Sequence, residues 1–134
     1  MVKNVEGENK HILPILLDVM CDLSLFGYEN CFPYSEGRYK SDAVVALALT
    51  HHLLLSQNLS IDYIFWIMAK YTRRYACIEF MPLGLWAEGS DLPPVPSWYT
   101  VDWFRENFKR YFRLHLEEKL EKNRILFCGE LLAA

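Results

Sequence analysis

Two kinds of apolar spacing alternate along the chain. Unbroken or nearly unbroken apolar runs occur at Ile12–Val19, Asp42–Leu49, Tyr75–Met81 and Arg124–Leu131. Each is short and reads as a strand, and Asp42–Leu49, bounded by polar residues, has the pattern of one buried on both faces, as in a parallel sheet. Pro14 argues against a helix in the first run and is tolerated near a strand start or edge. Between these runs the spacing becomes helical. Ile61, Ile64, Phe65, Met68 and Tyr71 follow Ser60, a good N-cap, with Asp62 in the first turn. They predict a helix that ends near Arg74. Thr100 predicts a second cap, for a helix from Val101 to about Arg110 with Trp103, Phe104 and Phe108 inward. Short helical turns are expected at Asp22–Phe26 and His51–Leu55.

After Arg110 the period changes again. Phe112, Leu114 and Leu116 alternate with Arg113, His115 and Glu117, which is strand spacing. A turn signal, Glu121-Lys122-Asn123, separates this run from Arg124–Leu131. Phe104, Phe108, Phe112 and Leu116 also fit a four-residue period and one long helix to Lys122. Period two and the turn signal agree on an antiparallel hairpin, which is the favoured reading. Two long irregular connections remain, residues 20–41 and residues 82–99, the second with Trp86 and Trp98 as anchors. A loop as long as 20–41 inside a compact domain is usually functional, and a plain surface excursion is the alternative there.

The predicted order is strand, loop, strand, helix, strand, helix, strand hairpin. This is an α/β chain with parallel strands, right-handed crossovers and one antiparallel strand added at an edge by the final hairpin. Its 134 residues suffice for one domain, and 52% hydrophobic and 15% aromatic content exclude disorder. The formal net charge of -3 carries no nucleic-acid footprint. Four cysteines contain no CxxC pair, which argues against a structural zinc site. Two of them fall inside apolar runs and read as buried thiols, and the setting is expected to be reducing and cytoplasmic. The first ten residues hold no apolar signal core, and no apolar run reaches the ~20 residues of a membrane span.

The candidate chemistry sits where the second run breaks, at Thr50, His51 and His52. In open α/β sheets, ligands bind outside the carboxyl ends of the strands. Adjacent histidines there are equally compatible with a helix cap and a satisfied surface ring.

The segments LPILLDVM (13–20), DAVVALALTHHLLLSQ (42–57), IEFMP (78–82) and NRILFCGEL (123–131), in this order, resemble the carboxyl-terminal part of a class I S-adenosylmethionine-dependent methyltransferase. The nodulation-type and polyketide-synthase branch is the nearer likeness. That family has a seven-stranded doubly wound, Rossmann-like sheet that finishes in such a hairpin. The resemblance implies that the first three apolar runs are its third, fourth and fifth strands. It implies cofactor contacts from Asp18, near the adenine, and from Thr50. It implies a general base at His52, with His51 as second choice, since methyl transfer needs aligned reactants and removal of a proton from the acceptor. Some polyketide-synthase relatives use a metal to acidify a carbon acid on a carrier protein. The matching ligands here would be His52, Gln57 and Asp18, holding a divalent or trivalent ion.

The chain departs from the family in one large respect. It has no GxGxxG-like run for the methionine part of the cofactor and no acid at the end of a second strand for the ribose. It therefore resembles half of an enzyme acting on a small or carrier-bound acceptor. A half-sheet exposes an apolar edge, so the resemblance implies a homo-oligomer or a complementing segment. A noncatalytic module that keeps a fragment of the fold is the alternative.

Overall fold

The computed structural model describes residues 40–133. The expected strand Ile12–Val19, the helical turn Asp22–Phe26 and residue Asp18 lie outside the described residues. The described elements run β1 (Ser41–Ala46), α1 (Thr50–Leu55), α2 (Ile61–Tyr71), β2 (Thr72–Phe80), α3 (Val101–Phe108), β3 (Phe112–Glu121) and β4 (Arg124–Leu131). Among the described residues the strands form one four-stranded sheet in the order β1-β2-β4-β3. β1 and β2 are parallel, and β4 is antiparallel to both of its neighbours. The chain is thus α/β with a mixed sheet. No helix among the described residues is long and apolar enough to cross a membrane.

Helix α2 starts where the sequence predicts. The Ser60 hydroxyl accepts the Tyr63 N–H at 3.2 Å, and Ile61, Ile64, Phe65, Ile67 and Met68 are buried. It ends three residues before the expected Arg74, because Thr72 turns the chain directly into β2. The Thr72 hydroxyl donates to the Tyr75 carbonyl at 2.7 Å and accepts the Arg74 N–H at 3.2 Å. A threonine satisfying backbone groups locally competes with helix continuation. Arg73 and Arg74 therefore lie in β2, where they pair with Asp42 and Glu130 on the neighbouring strands.

Helix α3 begins at the Thr100 cap, whose hydroxyl accepts the Trp103 N–H at 3.2 Å. Phe104 and Phe108 face inward and are fully buried, while Trp103 is half-buried. Phe65 of α2 lies at the centre of the aromatic core. Its ring meets those of Phe104, Phe108, Tyr111 and Phe112 at centroid distances of 5.2, 5.9, 6.0 and 6.4 Å, all edge-on. Edge-to-face geometry suits the ring quadrupole and adds to the gain from burial. From the sheet, Ala76, Ile78, Phe80, Ile125 and Phe127 complete this layer.

The hairpin is present, and the competing single helix to Lys122 is excluded: β3 and β4 are joined by Lys122 and Asn123. Its placement differs from expectation. The antiparallel strand β4 lies inside the sheet, between β2 and β3, and the edge strand is β3. That exposes the alternating face of β3, whose only fully buried residue is Phe112.

Two further expectations are corrected. The run Asp42–Leu49 is not a strand buried on both faces. β1 stops at Ala46, and Ala43, Val45 and Leu47 are exposed, because β1 is an edge strand among the described residues and only its Ala46 face meets the core. Trp98 is not an interior anchor for the 82–99 connection, being 46% exposed. That role falls to Tyr99, buried against Phe80 with its hydroxyl donating to the Met81 carbonyl at 3.1 Å. The tip of the hairpin holds the other end of the connection. Asn123 accepts the Leu83 N–H at 2.6 Å, and Lys122 lies over the Trp86 ring.

Candidate functional site

The carboxyl ends of the parallel strands β1 and β2 lie side by side, with Ala46 opposite Ile78. Leu47–Leu49 then leave the sheet. Ala48 turns the chain with a left-handed backbone, φ 51°. That conformation costs an L residue roughly 1–2 kcal/mol. It points the Ala48 N–H at the Glu79 carboxylate, 2.7 Å away. Two residues on, the Thr50 hydroxyl donates to the Glu79 backbone carbonyl at 2.6 Å. Helix α1 therefore starts tied twice to one residue at the end of β2, although Leu49 at its N-cap supplies no side-chain bond.

Glu79 is the residue that organises this end of the sheet. It is 2% exposed. Arg124, one residue past the hairpin turn, donates to both of its oxygens at 2.9 and 3.0 Å. The two sit diagonally on the same sheet face, since Glu79 pairs with Leu126. The carboxylate in turn holds the Arg124 guanidinium above its usual range. A buried carboxylate needs such a partner to remain charged.

The two histidines divide between interior and solvent. His51 is 4% exposed, and its Nδ1 is buried with no hydrogen-bond partner. Burial holds its pKa below the usual 6.5, and His52 beside it pushes the same way against an opposing pull from Glu79. His51 is thus neutral at neutral pH. His52 is exposed, and the two rings lie 4.1 Å apart, tilted at 41°. Of the pair, His52 is the one an external molecule can reach.

The expected site residues are therefore only partly brought together. Thr50, His51 and His52 share the start of α1. Thr50 is fully buried with its hydroxyl on the Glu79 carbonyl, which makes it a positioning residue. Gln57 lies past the end of α1, its N–H on the His52 carbonyl at 3.1 Å. A five-residue separation does not stack two side chains on one helix face. Asp18 lies outside the described residues. Among the described residues no group of three or more His, Cys, Asp or Glu side chains could hold a metal ion. Sequence reasoning missed Glu79 and Arg124. The available signal was Glu79 itself, the one charge inside an otherwise apolar run.

The fold and this site define an α/β chain with a mixed sheet and a polar cluster at the carboxyl ends of two parallel strands. Comparison with protein-family models, with curated proteins and with solved structures finds no match.

Proposed function

We propose that the chain is the acceptor-side half of an S-adenosylmethionine-dependent methyltransferase, acting on a small or carrier-protein-bound acceptor in the cytoplasm. One observation carries this reading: an exposed histidine on a braced helix start, beyond the ends of two adjacent parallel strands, in a sheet that finishes in a hairpin. His52 takes the proton from the acceptor as the methyl group arrives. His51, neutral and buried, packs its ring against His52 and limits where that base can point. Thr50 and Glu79 fix the start of α1, so that the base is held on a rigid support rather than on a loose loop.

The described residues do not by themselves fit the methyl donor. The Thr50 hydroxyl is committed to a backbone carbonyl, and no glycine-rich loop occurs in the chain. Contacts to the donor would come from residues before Lys40, from a complementing segment or from a second copy of the chain. S-adenosylmethionine supplies the activated methyl group when bound.

The self-contained bonding of Ala48, Thr50, Glu79 and Arg124 favours a second reading. In that reading the cluster is only a joint between β1, β2 and β4, and the chain is a noncatalytic interaction module. Equilibrium dialysis of the purified chain against labelled S-adenosylmethionine separates the two. Binding at micromolar concentration, retained in His52→Ala while methyl transfer is lost, is the expected result. Absence of binding at millimolar cofactor would mean that neither residues before Lys40 nor a second copy of the chain completes the donor site, which leaves a complementing segment or the noncatalytic module.

A further inference from the structure

The face of the sheet opposite the aromatic core carries two cysteines side by side. Cys77 of β2 and Cys128 of β4 are direct partners in the antiparallel ladder. Directly opposed residues in such a ladder have Cα atoms about 4.5 or 5.5 Å apart, and both values fall in the range a disulfide spans. Their Sγ atoms are 2.6 Å apart, about half an ångström longer than the covalent bond of ~2.04 Å. Both are free thiols. The sequence suggested buried thiols, but both are only partly buried. They line an open cavity of about 460 Å³ with Tyr75, His115, Gly129 and Glu130. An oxidant of low molecular weight can reach them there.

We propose that Cys77 and Cys128 form a reversible cross-strand redox pair, closed by a glutathione-type disulfide as the oxidant. The inference is independent of the methyl-transfer reading. Cys77 as thiolate attacks one sulfur of the oxidant, whose S–S bond breaks and releases one glutathione thiolate. Cys128 then gives up its proton and attacks the Cys77 sulfur of the mixed disulfide. The second glutathione leaves as a thiolate, and the released protons go to the two leaving groups. Two protein thiols are oxidised and one small disulfide is reduced to two thiols.

The order of attack follows from the local environment. Burial, and then the hydrogen bond to Cys77, push the Cys128 thiol up to about 12. Cys128 is therefore the poorer first nucleophile at neutral pH and the natural resolving thiol. No backbone rearrangement is needed, because the ladder already holds the two residues in register. Disulfides of this kind in reducing compartments are typically transient and redox-sensing. The link would lie one pleat repeat from Glu79 on β2, on the same sheet face as the Glu79–Arg124 pair. Oxidation would then lock β2 against β4 beside the site and suppress sliding between the two strands.

The test is equilibration of the full chain in graded mixtures of reduced and oxidised glutathione, acid quenching, alkylation and peptide mass mapping. The expected product is a linked Cys77–Cys128 peptide lacking two hydrogens, reversed by added reduced glutathione. It should persist unchanged in the Cys21→Ser/Cys31→Ser variant and vanish in Cys77→Ser. The wild-type map needs no variant to fold. Stable glutathione adducts on Cys77 and Cys128, pairing of either with Cys21 or Cys31, or free Cys77 and Cys128 under full oxidation would each overturn the proposal.

Discussion

Glu79 is one residue with three obligations, two on its carboxylate and one on its backbone carbonyl. It accepts from the Ala48 N–H, faces Arg124 with both oxygens and offers its own carbonyl to Thr50. Glu79→Gln keeps the volume but turns one oxygen into a donor, which then opposes Arg124 or the Ala48 N–H. The expected loss is about 2 kcal/mol, read from urea denaturation at neutral pH. His51 adds a pH dependence of known sign. Its folded pKa lies below the usual 6.5, chiefly through burial. As pH falls through 6.5 the unfolded chain takes up this proton and the folded chain resists, so stability is present above that value and is lost below it. Denaturation between about pH 7.5 and about pH 5.5 should show this loss in the wild type and a smaller one in His51→Gln. An equal acid loss in both proteins would remove His51 as the cause. The Thr-His-His group was legible in the sequence because polar residues interrupt an apolar run abruptly. Glu79 and Arg124 were not recognised, since their partnership spans 45 residues and depends on which strands become neighbours.

Elements were legible where their signals are local. Both long helices begin at the serine and threonine the sequence nominates, because an N-cap bond links residues only three apart. The end of α2 was misplaced, since it depends on Thr72 bonding backbone groups of β2. The hairpin was found from its period and turn, but its position in the sheet was not. That position depends on pairing between β2 and β4, which no local pattern encodes. Gly129 marks the tightest point of this arrangement. A Cβ there would stand 2.6 Å from the Arg113 carbonyl oxygen and 2.8 Å from a ring carbon of Phe108. The first contact is with backbone of the neighbouring strand, so it cannot be relieved by a rotamer change. Gly129→Ala should therefore cost about 2–3 kcal/mol and lower the thermal midpoint. Faster amide exchange on both sides of the β3 irregularity at Leu114/Leu116 should accompany it.

At the scale of the molecule, the sheet has one face sealed by α2 and α3 and one that leaves Val45, Tyr75 and Leu116 exposed. The α/β class followed from strands alternating with helices, whereas the exposure of this face could not be read from strand composition. Apolar runs look alike whether one side or both are covered. The sheet order also governs assembly. β4, the last of the described elements in the chain, is the strand that joins β2 to β3. A version stopped after Asn123 would keep both long helices and three strands, yet β3 would have no partner strand among the described residues. It should retain far-ultraviolet helical signal but lose near-ultraviolet aromatic signal and cooperative melting.

During synthesis the ribosome releases Phe112–Glu121 before Arg124–Leu131, and the exit tunnel delays both. Helices α2 and α3 emerge with their phenylalanines and wait for a sheet that cannot yet close. The protein is thus exposed to misassembly until β4 inserts, as a keystone completes an arch. Crowding by nascent copies at that moment would offer β2 a foreign β4, the route by which strand-exchanged dimers arise.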